Sequence, residues 1–307
     1  MFTTQVQGVV DARHPAPAQP GRRKRRPGLA GYGFVGLYTV LLLAFGVGPA
    51  LYAVYLAFVN ADGQFVGLGQ FVKVATDYRF AESFINIGGY VVIWLVTLLI
   101  LTVGLALIVH QRSRFVSSTL RFIFYLPGAL AGVAGVLVWL FMLDPTTSPF
   151  SSLLHLLGMN SFQKVILPPN LPWLFVIIAF WIGAGGWIVI MYGALNNIPN
   201  EIMDASRVDG ANAFQLAWYI QIPMISKWIV YMAVLAFAGG TQLFVEPQLL
   251  GNNISPTWSP NELNYVYAFA NNDFNGAAAL SLYLLLICAV GAFFLISRSG
   301  LFKVDDE

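Results

Sequence analysis

Charge is what this chain has least of. Of its 307 residues only 10% are Asp, Glu, Lys or Arg, while 58% are hydrophobic and 15% aromatic, against about 25% charged in an ordinary globular domain. A soluble fold of this size could not cover its surface with 16 basic and 14 acidic side chains, and a mean hydropathy of +0.71 assigns most residues to an apolar solvent. Cysteine is nearly missing too. The single Cys288 excludes an intrachain disulfide, a cysteine zinc site and an iron–sulfur cluster. The three histidines, His14, His110 and His155, have no ligand-like spacing, so no metal site is expected. The alternation of barrel strands is also lacking: runs such as 38–45 (YTVLLLAF) and 91–103 (VVIWLVTLLILTV) are apolar on every side. The expected fold class is therefore all-α, a polytopic membrane helical bundle.

The gaps between charges locate the spans, because a charge at the bilayer centre costs about 2.5–3.5 kcal/mol even on the lenient insertion scale. Six gaps are long enough: 27–61, 83–111, 122–143, 165–200, 228–245 and 274–297. They predict six transmembrane helices near 31–58, 85–109, 122–143, 173–195, 225–245 and 276–297. A seventh uncharged stretch, 210–226, carries Asn212, Gln215, Gln221, Ser226 and a central Pro223, and reads as surface-lying. With both termini cytoplasmic, 13 of the 16 Lys and Arg residues fall inside and only Lys73, Arg79 and Lys164 outside, as the positive-inside rule requires. The organisation read from this is a disordered basic tail at 1–28, a membrane domain at 29–300 and a cytoplasmic tail at 301–307. The run Arg22-Arg23-Lys24-Arg25-Arg26 reads as a topogenic anchor and not as a nucleic-acid patch. The apolar stretch that follows is about twice the length of a signal peptide's apolar region, so no cleaved signal is expected. On the outside, 148–160 clusters leucines beside Ser151, Ser152 and His155, which suits a short interfacial helix.

The inside segment 196–224 holds Glu201, Asp204 and Asp209, the only inner-face acids outside the termini. Asn197 can cap a helix with Pro199 in its first turn, and Glu201 and Asp204 then lie near the positive end of its dipole. Gly210 permits a positive-φ bend into a second helix over 211–219, before Pro223 restarts the chain as the fifth span. Ala205, Ser206 and Ala211 leave a low-relief surface around the bend, suited to packing against another protein.

These residues resemble the cytoplasmic EAA loop of bacterial ABC-importer permeases. Asp204-Ala205-Ser206 stands for the EAA triplet, Gly210 for its invariant-spaced glycine, and Ile220, Ile222 and Pro223 for its closing Ile-x-Leu-Pro. Asp204, Ser206 and Ile222 replace Glu, Ala and Leu. The resemblance covers about residues 30–300 and is nearest the carbohydrate-uptake permeases of the maltose and glycerol-3-phosphate type. YLPGALAGVAGVLVWLFMLDP at 125–145 resembles the first of the two permeases such systems use, although 146–152 (TTSPFSS) departs from the usual turn. The resemblance implies a second homologous permease, an ABC ATPase dimer and an extracytoplasmic solute-binding protein as partners. It implies ATPase coupling through Glu201, Asp204, Ala205, Ser206, Asp209, Gly210, Ile220, Ile222 and Pro223. No cofactor is expected on this chain: ATP and magnesium belong to the ATPase, and no G-x-x-x-x-G-K-[ST] loop occurs here.

No Lys, Arg, Asp or Glu falls within the six gaps that define the expected spans, Lys227 standing at the inner edge of the fifth, which favours a neutral, hydroxyl-rich solute. Candidate path residues are Trp181, Trp187, Tyr192, Tyr231, Gln242 and Tyr283, aromatic platforms with an amide. Gly128, Ala131, Gly132 and Gly135 read as small-residue helix packing on the third span. An intramembrane enzyme fails on inventory, with neither a G-x-S-x-G elbow nor an intramembrane carboxylate dyad. Glycerol-3-phosphate-type or other small-solute import, and an ion-coupled secondary transporter, stay open as alternatives, the latter disfavoured for protons more than for sodium.

Overall fold

The computed structural model describes residues 29–130 and 132–298; the two expected tails, 1–28 and 301–307, lie outside the described residues. The chain divides into two compact units at Leu51/Tyr52. In the first, helix α1 (Leu29–Leu42) passes through a π turn at Leu43–Val47 into the opening turn of α2 (Gly48–Ala57), whose residues 52–57 belong to the second unit. Pro49 explains the turn: it has no N–H to return to residue 45, and the Gly48 N–H reaches back to the Leu43 carbonyl instead.

Among its described residues the second unit is built of helices and connecting turns, its one β contact being an isolated bridge between Val59 and Phe65. It comprises α3 (Gly69–Ala75), α4 (Tyr78–His110), α5 (Arg114–Tyr125), α6 (Val133–Leu143), the short α7 (Ser151–Leu156) and α8 (Phe162–Val165), and α9 (Leu171–Asn196). There follow α10 (Asn200–Val208), α11 (Ala213–Leu216), α12 (Ile222–Met224), α13 (Ser226–Gly240), α14 (Val245–Leu250), α15 (Pro260–Tyr265) and α16 (Phe274–Arg298). Among the described residues five helical stretches are long and apolar enough to cross a membrane: 35–57, 78–110, 168–196, 226–250 and 274–298. A bent pair, 114–129 with 133–143, brings the number to six. A short helix forms over 151–156, within the 148–160 stretch where one is expected.

The third span departs from the continuous helix expected at 122–143. Its halves meet at 99°, with a 3₁₀ stretch at Leu126–Leu130 and Gly132 at φ +84° between them. Pro127 interrupts the hydrogen-bond ladder and Gly132 adopts a conformation closed to side-chain-bearing residues. Gly132 is thus a bend and not a packing position, whereas Gly128 does pack, its Cβ position 3.2 Å from the Ile182 carbonyl of α9.

The core lies between α4 and α9. Tyr90, Trp94 and Leu98 from one helix and Phe175, Ile178, Ile188 and Met191 from the other are buried together. Lipid tails are as apolar as these side chains, so close packing rather than water exclusion holds such helices. Gly185 shows how close: a Cβ there would overlap the Phe124 carbonyl and lie 2.8 Å from the Tyr125 Cα of α5.

At the end of the bundle remote from 196–224, a second cluster joins Ala57, Val74, Leu263, Tyr267 and the start of α16. Polar clamps fix it. Lys73 pairs with Asp273 at 2.7 Å, and Asn275 donates to the Leu56 and Val59 carbonyls, both at 3.0 Å. Asp77 caps α4 while accepting from the Arg79 fork and from the Tyr267 hydroxyl at 2.7 Å. The Arg79 guanidinium holds the Asp77 carboxyl far below the usual range. Nearby, Ser259 and Glu262 form the capping box that starts α15. Burial pushes the Glu262 carboxyl up to about 7, against the pull of the Ser259 and Trp258 backbone N–H groups.

Two outcomes follow from this packing. Gly185→Ala is expected to destabilise the chain by about 1–3 kcal/mol, read as earlier thermal unfolding in detergent, while Gly186→Ala, which meets nothing within 4 Å, leaves it unchanged on that account. Because the folded Glu262 binds its proton more tightly than the unfolded group, whose value is 4.5, its contribution favours folding below that pH and is lost as pH rises through about 7. Thermal melts across that window are expected to show the loss in the native chain and not in Glu262→Gln.

Candidate coupling loop and solute cavity

The loop between α9 and α13 is a helix, a turn and a second, shorter helix. Helix α10 ends in paired reverse bonds, Gly210 N–H to the Arg207 carbonyl at 3.1 Å and Ala211 N–H to the Ser206 carbonyl at 3.0 Å. This is the glycine-terminated stop motif, and Gly210 sits at φ +82° as it demands. No atom lies within 4 Å of a Cβ built at Gly210, so substitution there meets backbone strain alone. Asn212 and Gln215 then form a capping box that opens α11. Three details differ from the expected geometry. Asn197 closes α9 instead of capping α10, Pro199 is itself the N-cap residue of α10, and the second helix starts at Ala213 and widens into a π turn at Ala217–Gln221.

The loop residues divide by face. Glu201, Asp204, Ala205, Asp209 and Gly210 are exposed, and Asp204 pairs with Arg207 at 2.9 Å. That pair is solvated on both sides and contributes little to stability. Ser206 turns inward, donating to the Ile202 carbonyl at 2.6 Å, and Met203 enters the main core. Ile220 and Ile222 are half-buried against that core, and Pro223 is exposed. The acidic face of α10 is thus free while its opposite face is tied to the spans.

Within the bundle, a cavity of about 370 Å³ opens between α4, the bend of the third span, α9 and the α13–α14 junction. Trp187 and Gln242 line it, together with Tyr90, Trp94, Phe244 and Glu246. Its small-residue wall, Gly183, Gly239 and Gly240, leaves the room, and a Cβ at Gly240 would stand 3.0 Å from the Trp94 ring. Glu246 sits in the first turn of α14, where the helix dipole favours a carboxylate. It lies inside the 226–250 span, so the fifth span is not free of charge as expected.

The structure separates the remaining path candidates. Tyr231 meets the Trp187 ring edge-on at 6.4 Å, one layer behind the cavity. Trp181 packs against Trp139 at 5.6 Å, away from it. Tyr192 lies under Arg121, 4.1 Å from its ring, and beside His110 at the coupling-loop end. Tyr283 belongs to the remote cluster, against Phe71 and Phe80. Missed by sequence reasoning were Tyr90 and Trp94; their spacing of four puts both on one helical face, a signal hidden inside a uniformly apolar run.

Residues 101–297 match the family model described as binding-protein-dependent transport system inner membrane component. The chain is 23% identical over 283 residues to the arabinooligosaccharides transport system permease protein of Halalkalibacterium halodurans, covering 90% of this chain and 89% of that one. It is 24% identical over 288 residues to the multiple sugar-binding transport system permease protein of Streptococcus mutans, covering 89% and 96%. Its fold is similar to that in the crystal structure of a bacterial alginate ABC transporter in complex with alginate pentasaccharide-bound periplasmic protein, with a TM-score of 0.78 at 19% identity over 89% of this chain and 96% of that one.

The turn at Gly210 yields a direct outcome. Gly210→Val is expected to cost about 1–3 kcal/mol locally and to abolish transport while leaving membrane insertion intact; Gly210→Asn, which tolerates positive φ, is expected to retain part of it. Uptake assays beside quantitation of the chain in membranes check both.

Proposed function

The chain belongs to the binding-protein-dependent transport system inner membrane components, and from that premise we propose that it passes a neutral sugar, in short-oligomer form, through the cavity of Trp187, Gln242 and Glu246. It is a multi-pass inner-membrane permease subunit of an ABC importer served by a solute-binding protein, and not itself an enzyme. What supports the sugar reading is the cavity's lining. Aromatic rings from α4 and α9 face one amide and one carboxylate, groups that contact the apolar face and accept from the hydroxyl rim of a sugar ring. No basic side chain lines the cavity wall, so nothing there pairs with a phosphate or a uronate. This argues against glycerol-3-phosphate and against an acidic polysaccharide such as the alginate handled by the structural neighbour. The relatives' arabinooligosaccharide and multiple-sugar transport names point to the same neutral class.

Coupling follows from the loop. The proposed partners are a second homologous permease and a pair of ABC ATPases, which bind ATP and magnesium. The ATPases seat the exposed face of α10 through Asp204, where a charge-assisted hydrogen bond contributes about 1.5–3 kcal/mol. Closure of the ATPases moves α10, and the inward contact of Met203 transmits that motion to the spans as a rigid-body change of access.

The decisive experiment combines capture with uptake. The tagged chain is expected to co-purify with a second permease and an ATPase, and Asp204→Lys to lose the ATPase, while Arg207→Ala, which breaks only the internal pair, keeps it. In cells carrying the intact transporter, digests of arabinan, starch and chitin supply the candidate solutes. Trp187→Ala is expected to raise the half-saturating concentration of the transported component about ten-fold, equivalent to about 1.4 kcal/mol. Uptake that survives loss of the ATPase would make an ion-coupled carrier the better account.

A further inference from the structure

Beside the solute cavity lies a second opening that the transport reading leaves without a role. It is a groove of about 560 Å³ between the second half of α2, α15 with its π continuation, and the start of α16. Phe244 lines both openings. A hydrogen bond joins them as well: Asn261 of the groove donates to the Gln242 side-chain carbonyl of the cavity at 3.3 Å.

The walls of this groove combine two kinds of group that seldom coincide on a lipid-facing surface. One is a series of rings. Phe244 and Tyr265 have centroids 5.9 Å apart, and Tyr265 and Phe269 5.0 Å apart, the last two one helical turn from each other. Phe269 is 69% exposed and Tyr265 43%, so their faces are not consumed by packing. The other is a row of amides. Asn264 donates to the Ser281 hydroxyl at 2.8 Å, and its own carbonyl is buried behind the groove wall. The Gln242 NH₂ and the Asn261 carbonyl are unpaired among the described residues. Bare polar groups facing hydrocarbon cost free energy. Facing a polyhydroxylated chain, the Asn261 carbonyl and the Gln242 NH₂ hydrogen-bond its hydroxyls while the rings cover its C–H faces.

We propose that this groove is an outer subsite for a neutral oligosaccharide, holding further sugar units of a chain whose leading unit occupies the cavity of Trp187 and Gln242. The inference rests on the sugar-transport reading and deepens it. Gln242 stands at the junction, bonded to the groove and facing the cavity, and the Phe244 ring passes the chain from one opening to the other. The permease then selects for length: a monosaccharide needs the cavity alone, an oligomer needs both.

The test uses the complete transporter in its native membrane. From digests of arabinan, starch and chitin, the component whose uptake depends on this chain is identified first; if none is taken up, the sugar reading itself fails and the subsite fails with it. With that component in hand, Phe269→Cys is placed in a Cys288→Ser background and treated from outside with a charged, membrane-impermeant maleimide. The F269C thiol is expected to react, and the transported oligomer to slow the reaction at least severalfold where its constituent monosaccharide does not. Absence of reaction, meaning a groove closed by lipid or by another subunit, overturns the subsite, as does labelling that the transported oligomer leaves unchanged. Tyr265→Ala gives an independent reading: without that ring to stack on a sugar face, the half-saturating concentration of the longest transported oligomer is expected to rise about 2- to 12-fold relative to the shortest. Equal effects on both lengths would contradict the assignment.

Discussion

A bilayer core offers neither hydrogen-bond partners nor counter-ions, and the distribution of charge along this chain follows from that constraint. Ionised side chains gather at the two ends of the bundle, where they do different work. At the remote end they are locked: Asp77 is held by Arg79 and Tyr267, and Lys73 by Asp273. At the loop end they are held loosely, as in the solvated Asp204–Arg207 pair. Glu246, within the 226–250 span, opens onto a cavity from the first turn of α14.

Between the two ends, helix α10 presents acids outward and packs inward through Met203. Its end is fixed by Gly210, and the next helix starts at once from the Asn212 box. Two capped helices around one positive-φ residue make a unit that transmits displacement without melting. The α4–α9 contact supplies the stiff wall, with Gly185 against the backbone of α5. The bend at Pro127 and Gly132 supplies the contrasting feature, an interrupted span whose far half borders the cavity.

Much of this is legible in the sequence. Charge spacing alone marks the apolar segments that the long helices contain, although Tyr78–His110 and the bent pair from Arg114 both start a turn or more before the expected bounds. The bend at Gly210 is legible because only a few residue types accept its geometry. The Asn212–Gln215 box is equally visible as an Asn followed three residues later by Gln, but Ala211 draws the expected boundary two residues early. The break in the third span is not, since Pro127 and Gly132 also occur in packed transmembrane helices and only the tertiary setting distinguishes packing from bending. For the solute path the limit is more basic. Aromatics in uniformly apolar spans have no polar face to mark which side looks inward, so Trp187 and Trp181 carry equal weight in the sequence although only one reaches the cavity. Glu246 escapes notice because the charge-gap rule ends a span at the first acid, whereas the helical path continues through it to Leu250.

The most direct measurement is a cryo-electron microscopy structure of the assembled transporter, purified with its partners and trapped mid-cycle with the sugar it takes up. The account requires solute density against the Trp187 ring and within hydrogen-bond reach of Gln242 and Glu246, with the acidic face of α10 seated on the ATPase. Density elsewhere, or a cavity filled by side chains of the second permease, would contradict it.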